Sequence, residues 1–334
     1  MQVQTISFDD PRWPGFTRKF EWANVYHSPQ MAQVFDVSPG FEVHPLFALE
    51  DDRICAFAMP VLVKCNLPLP AFLVDRIIMF ASPLHAPGAA GRKGLAAVLA
   101  EARGIARRTA FFLEIRNSEP FPRQEAAGVV EGMKYIPRLN YLLDLTKGED
   151  GLFAQVGTKT RNRIRKAGKR GIEIRPLDDE GELKTSIDMI TSLYRRKRVP
   201  MVEPAVFEKA WSIMGPSGGF RAIGGFRDEQ LVAVRFLLCG MGTVIDWYAA
   251  SDPASHRDYP NEAMVWHCLQ WACGKGYKRF DFGGGGVRGQ DYGPGSFKEK
   301  FRGETVEFGR YRYSRWSWLV ELAEKAYGWR TRTH

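Results

Sequence analysis

The sequence predicts an α/β protein of two tandem domains, each built on a mixed, mostly antiparallel sheet flanked by helices. Three observations carry this. The chain has 334 residues, 45% hydrophobic and 13% aromatic, which is enough for two packed cores and too apolar for disorder. Strand-like runs are joined by short charged or glycine-rich turns, as antiparallel hairpins are. The order helix, hairpin, strand, helix, strand occurs over 16–145 and again over 150–310, without strong residue identity between the copies. The expected partition is 1–147, 148–310 and a C-terminal amphipathic helix over 311–334.

In the first half, Ser28-Pro29 enters a helix within 16–36, with serine as N-cap and proline in the first turn. Phe41–Leu49 reads as extended, with RICAFAMPVLV at 53–63 as its hairpin partner across Glu50-Asp51-Asp52. Leu73–Phe80 is a third strand. Gly94–Ala110 is a helix, apolar at 95, 98, 99, 102 and 105, and FFLEIR at 111–116 is the strand after it. Tyr135–Asp144 is another strand, placed at a sheet edge by Pro137.

The second half opens on TKTRNRIRKAGKRG at 158–171, with seven basic residues and no acidic one. Thr158 can cap a helix and Gly171 can end one. Thr160, Ile164, Ala167 and Gly168 fall on one face. Two helices follow, in ITSLYRRKRVP and PAVFEKAWSIM, then three strands over 220–252. Asn261–Lys275 is a helix ended by Gly276, KRFDFGG a strand, and 283–295 a glycine-rich loop closed by SFKEKFRG.

Net charge is +9, and the basic helix supplies much of the excess, so the positive field is local. Such a helix repels itself and suits a phosphate-bearing partner, whether nucleic acid, nucleotide or anionic lipid; a solvated basic face is the plainer alternative. Five cysteines without CxxC or a neighbouring metal-spaced histidine argue against a disulfide framework or a zinc site. No HExxH, GxSxG or GxxxxGK[ST] occurs. The N-terminus has no signal-peptide pattern and no 18-residue apolar run exists, so a cytoplasmic protein that is soluble, or at most peripheral, is expected.

Four stretches carry a resemblance: 158–171, LYRRKRVPMVEPAVF at 193–207, WYAASDPASHRDYPNEAMVWHCLQWACGKGYKRFDFGG at 247–284, and SFKEKF at 296–301. Together they resemble the FemAB-like peptidyl transferases of the GNAT acyltransferase superfamily, over about 150–305, with HSPQM at 27–31 similar to the weaker first half. The resemblance implies two GNAT-like domains and acyl or aminoacyl transfer to an amine, in peptidoglycan or surface-polysaccharide assembly. It implies no tightly bound cofactor, a donor that is aminoacyl-tRNA or acyl-CoA, and a lipid-linked acceptor at the inner face of the membrane as one option. An acyl-CoA-dependent N-acyltransferase acting on a sugar or small amine, and a non-enzymatic RNA- or anion-binding module, are the alternatives. Where acyl-CoA-binding GNATs carry a glycine-rich loop before the central helix, this chain reads HRDYPNE, whose side chains and Pro260 hinder backbone approach to a pyrophosphate. No long heptad arm occurs within 171–215.

Transfer to an amine needs a proton acceptor, a cation or N–H for the oxyanion, and a held donor. Asp281, ending a strand beside the glycine loop, is the candidate proton acceptor; a carboxylate capping that loop is the structural alternative. Lys298 matches the family's Phe-Lys pair, after Phe297, and is expected near the acyl-bearing end of the donor. Arg161, Arg163, Arg165, Lys166 and Lys169 are the expected phosphate track, with Arg195, Arg196 and Arg198 as solvated residues or its extension. Tyr248 and Trp247 line a groove or fill the core. His256 and Asn261 flank the anion-binding start of a helix, where asparagine also serves as a cap. The tryptophan-rich C-terminal segment reads as a packed helix or as a peripheral membrane contact.

Overall fold

The computed structural model describes residues 1–65, 67–122, 124–289, 293–316 and 318–319. Most of the expected C-terminal helix, and 290–292 of the glycine-rich loop, lie outside these described residues. The chain divides into two units, Met1–Pro137 with the segment from Phe308 onward, and Arg138–Glu307.

The first unit contains, in order, β1 (Gln2–Gln4), α1 (Arg12–Thr17), α2 (Pro29–Asp36), β2 (Phe41–Val43), β3 (Leu46–Glu50), β4 (Arg53–Ala58), β5 (Val61–Val63), α3 (Ala71–Val74), β6 (Arg76–Met79), β7 (Leu84–His85), α4 (Gly88–Thr109), β8 (Phe112–Arg116) and β9 (Lys134–Ile136). The second contains β10 (Leu139–Asp144), α5 (Gly148–Gln155), α6 (Thr158–Lys169), β11 (Glu173–Pro176), α7 (Glu180–Lys197), α8 (Pro204–Met214), β12 (Phe220–Arg227), β13 (Gln230–Gly240), β14 (Thr243–Ser251), α9 (Pro260–Gly274), β15 (Arg279–Gly284), α10 (Gly293–Glu299) and β16 (Glu304–Glu307). The chain then returns to the first unit as β17 (Arg310–Tyr313).

The first unit has two sheets, β1-β3-β4-β7 and β2-β5-β6-β8-β17-β9; the second has one, β11-β12-β13-β14-β15-β10-β16. Among the described residues only β6–β8 and β14–β15 pair in parallel, so the sheets are mixed and mostly antiparallel as expected. Each parallel pair is bridged by a long helix. α4 buries Leu95, Val98, Leu99 and Ala102 against Ile77, Leu113 and Ile115. α9 buries Met264, Val265, Cys268 and Leu269 against Val244, Phe280 and Phe282. These faces follow the 3.6-residue period.

Several predicted elements are subdivided. The two strands at 41–49 and 53–63 break at Pro45 and Pro60, because proline has no N–H for a ladder. β2 and β5 therefore pair in one sheet and β3 and β4 in the other. The predicted turn holds, with Asp51 and Asp52 both at positive φ (48° and 61°), as a two-residue hairpin requires. The helix predicted within 16–36 to enter at Ser28-Pro29 is α2, capped by Ser28, whose Oγ accepts the Met31 N–H at 3.1 Å. Strand 135–144 splits at Pro137 into β9, on a sheet edge, and β10, inside the other unit's sheet. The unit boundaries accordingly fall at 137/138 and 307/308, where 147/148 and 310/311 were expected.

β17 is secured by charge. Its residues Arg310 and Arg312 pair across β8 with Arg116 and Glu114. The Glu114 carboxylate, 2% exposed, accepts from Arg116 Nε and Arg310 Nη1 at 3.0 Å and from Arg312 Nη2 at 2.6 Å. Burial alone would raise its pKa, but the three guanidinium groups outweigh it and hold the carboxyl at about 2. Removing one partner of such a buried cluster costs ~3 kcal/mol or more. A carboxyl with a depressed folded pKa contributes fully above its ordinary value of 4.5 and loses that contribution as pH falls towards about 2. Denaturant titrations should therefore show stability falling through this acid window in the wild type, and a much flatter acid limb in a less stable Glu114→Gln. Parallel acid limbs in the two proteins would rule the cluster out as the source.

Candidate active site

β14 and β15 stay paired for three residues only, Thr243 with Arg279, Val244 with Phe280 and Ile245 with Asp281. Beyond that, β14 follows β13, with an extra residue at Trp247 where the register shifts. β15 follows β10, with a shift between Asn140 and Leu142. Bulges of this kind bend a strand away from its partner, and the two strands take different neighbours past Ile245 and Asp281. Polar side chains gather at the parting.

Asp281 accepts the Gly283 N–H at 2.7 Å, and Asn140 Nδ2 approaches its two oxygens at 3.4 and 3.5 Å. Gly283 has φ 68°, a conformation glycine adopts without strain, and this aims its N–H back at the carboxylate. At Gly285, a Cβ would stand 2.3 Å from the Tyr141 ring, so the glycine run also admits that ring. Desolvation pushes the Asp281 carboxyl above its ordinary 3.8, against the pull of Gly283, Asn140, Lys298 and Arg279. Lys298, on α10, donates to the Gly284 carbonyl at 2.7 Å. Burial lowers its pKa, opposed by the charges of Asp246 and then Asp281. Asp281 and Lys298, both predicted, thus belong to one electrostatically coupled group. Phe297 precedes this lysine and packs on Phe301, with Lys300 Nζ 4.8 Å from its ring centroid.

Sequence reading missed five members of this neighbourhood, Asn140 among them. Arg235, 3% exposed, forms a buried ion pair with Asp246, the first β14 residue beyond the parting. Tyr141 donates to Glu299 Oε1 at 2.8 Å, tying α10 and so Lys298 to β10. A signal existed for the first pair: lone opposite charges interrupt the apolar runs QLVAVRFLLCG and TVIDWYAAS. None existed for the Tyr141–Glu299 contact, whose partners lie far apart in sequence.

The first turn of α9 carries a proline and an acid. Pro260 takes the first position and brings no N–H. Glu262, buried, takes a 3.0 Å contact from each of Arg163 Nη1 and Lys300 Nζ. Nearby, Ser251 Oγ accepts from Asn261 Nδ2 at 2.9 Å and meets His256 Nε2 at 3.0 Å. Asn261 is therefore not the cap; Tyr259 holds that position, in the left-handed conformation.

α6 begins after Gly157, which replaces Thr158 as cap residue, and Gly171 at φ 75° follows its end as expected. Thr160 and Ala167 are buried, Ile164 is half-buried and Gly168 is exposed. The predicted phosphate track divides by environment. Arg163 is committed to Glu262 and lies over the Tyr259 ring. Arg161 and Arg165 lie over Phe153, centroids 5.9 and 5.3 Å away. Lys159, Arg165, Lys166 and Lys169 are exposed, as are Arg195, Arg196 and Arg198 at the end of α7. Tyr248 packs edge-on or tilted among Tyr194, Phe207 and Trp247 and accepts the Val202 N–H at 3.2 Å, so it anchors the segment between α7 and α8.

Residues 155–293 match the family model of the acetyltransferase (GNAT) domain. The chain as a whole is similar to the crystal structure of FemX, with a TM-score of 0.72, 15% identity, and 96% of this chain and 99% of that one covered. It is also similar to L-PGS from Bacillus licheniformis (0.57, 14%, 98% and 99%) and to a tandem GNAT protein from the clavulanic acid biosynthesis pathway (0.58, 11%, 94% and 98%). No match to a curated protein sequence reaches significance. The fold is that of tandem GNAT proteins.

Arg163→Ala should leave the buried Glu262 with Lys300 alone and lower stability by about 2–3 kcal/mol. Adding Glu262→Gln should recover most of it in urea denaturation. An equal loss with and without the carboxylate would remove the ion pair from the account.

Proposed function

We propose that this GNAT-fold protein is an acyltransferase that moves an aminoacyl group from a charged tRNA to an amine acceptor of cell-wall peptidoglycan or surface-polysaccharide assembly, in the cytoplasm. One observation carries the choice of donor. The first turn of α9, where helix N–H groups would receive a pyrophosphate, includes Glu262, whose carboxylate is paired with Arg163 and Lys300. A pyrophosphate there would have to compete with Glu262 for those two cations. The exposed cations of α6 remain for phosphate, and their spread along a helix suits a polyanion better than a single pyrophosphate.

In the reaction, the acceptor amine attacks the ester carbonyl carbon of the donor. The C–N bond forms, the nitrogen loses a proton to Asp281, and the C–O bond to the ribose breaks. The departing oxygen takes a proton, and tRNA leaves with a free hydroxyl. The Lys298 ammonium offsets the charge that develops on the carbonyl oxygen. The raised pKa of Asp281 strengthens it as a base, and the lowered pKa of Lys298 makes it a readier proton donor.

The test is a donor screen with charged tRNA against acyl-CoA, read by product mass. Transfer from acyl-CoA alone would sink the tRNA reading and favour a small-molecule N-acyltransferase. Asp281→Asn and Lys298→Ala should each lower turnover on the order of 10²- to 10⁴-fold with folding intact. The wild-type pH profile should be bell-shaped, with its acid limb above the ordinary carboxylate range and its alkaline limb below the ordinary lysine range. Asp281→Asn should abolish the acid limb of the residual activity. Lys159→Gln, Arg165→Gln and Lys166→Gln together should reduce the salt slope of tRNA binding by roughly 2; an unchanged slope would place the tRNA elsewhere.

A further inference from the structure

The connection between β5 and β6 has three features in combination. The first is an exposed apolar tip. Leu67, Leu69 and Phe72 are 57%, 56% and 40% exposed, and Phe72 contacts the Trp316 ring at 5.6 Å, two residues before Trp318, which is 64% exposed. A soluble surface rarely gathers large apolar side chains in this way without a partner.

The second feature is a backbone with little left to offer. Leu67 N–H donates to the Cys65 carbonyl and Leu69 N–H to the Leu67 carbonyl, each at 2.8 Å. Pro68 and Pro70 have no N–H. Across 67–70 every backbone donor is thus either bonded within the loop or absent. A protein partner docking by strand addition needs free donors, whereas hydrocarbon penalises them. At the base, the buried Asp75 carboxylate accepts the Cys65 N–H at 2.8 Å and closes the loop.

The third feature is a cationic collar. Lys64 and Arg76 leave the last rungs of β5 and β6, where Val63 pairs with Arg76. Arg315 lies over the Trp316 ring at 5.4 Å. Two acids lie close to the collar: the buried Asp75, which accepts the Cys65 N–H, and the exposed Glu42, 3.6 Å from Lys64, a contact of the kind that contributes little in water. Aromatic and apolar groups ringed by lysine and arginine are the chemistry of the bilayer interface.

We propose that the apolar tip Leu67–Phe72, with Trp316 and Trp318, inserts into the interfacial layer of a bilayer rich in anionic lipid, held by the collar of Lys64, Arg76 and Arg315. Among the described residues no helix is long and apolar enough to cross a membrane, and the contact is peripheral. The attachment is independent of the donor used in the second unit, so it stands or falls separately from the aminoacyl-transfer reading.

The experiment is flotation of the full chain with vesicles of phosphatidylglycerol and phosphatidylcholine, compared with phosphatidylcholine alone. Binding should favour the anionic vesicles. Leu67→Ser, Leu69→Ser and Phe72→Ser together should weaken it on the order of a hundredfold, while thermal unfolding and soluble mass stay unchanged because these side chains are exposed. Lys64→Gln with Arg315→Gln should weaken binding to anionic vesicles several-fold and remove most of the preference over phosphatidylcholine. The proposal is overturned if the wild type does not float, if the triple variant floats like it, or if the triple variant instead changes the oligomeric mass.

Discussion

Parallel strands β14 and β15 share three residue pairs and then take different neighbours, and the polar groups of the second unit are arranged around that loss of pairing. A sheet that continued straight would bury the position of Asp246 between strands and satisfy every backbone group by ladder bonds. The bulge at Trp247 and the register shift opposite Asn140 turn both strands outward instead. Charged side chains then become tolerable at depth because they meet one another: Arg235 with Asp246, and Lys298 between the fields of Asp246 and Asp281. The pKa changes of Asp281 and Lys298 are opposite in sign and share desolvation as their first cause. Desolvation thus brings the two groups closer in proton affinity than an exposed aspartate and lysine would be.

Each unit also contains a buried carboxylate that gathers cations, most of them from distant parts of the chain. Glu114 has Arg116, Arg310 and Arg312; Glu262 has Arg163 and Lys300. Isolated, either carboxylate would be costly to desolvate. Surrounded, each fixes which segments come together. Glu262 has a second effect, since it takes up two cations beside the first turn of α9. The basic helix that stood out in the sequence is thus two things at once: Arg163 is spent internally, and the outward lysines and Arg165 face solvent.

The hairpins, the two long helices and the mixed sheets were legible because turn chemistry and apolar period are local signals. Asp51-Asp52 between two apolar runs and the 3.6-residue spacing of α4 needed no tertiary information. Asp281 and Lys298 were found through motif context, and their coupling was a property of the folded chain. Strand membership was not legible. The segment 135–144 looks continuous, yet Pro137 divides it between sheets, and β17 follows a helix-rich half without any local hint that it pairs with β8. Asn140, Tyr141 and Glu299 acquire meaning only from partners some 140 to 160 residues away, as their separations of 141 and 158 residues show.

β17 has a consequence for biosynthesis. A ribosome releases the chain from its N-terminus, but the strand that completes the first unit's sheet lies at Arg310–Tyr313. Until that segment emerges, β8 presents an unpaired edge and Glu114 lacks two of its three arginines. The second unit, whose strands run from β10 to β16, is available to fold first even though most of the first unit is made earlier. The nascent protein therefore passes through a stage with an open, partly charged strand edge, the kind of edge on which chaperones and aggregation compete. Truncations before Arg310 would trap the chain at that stage.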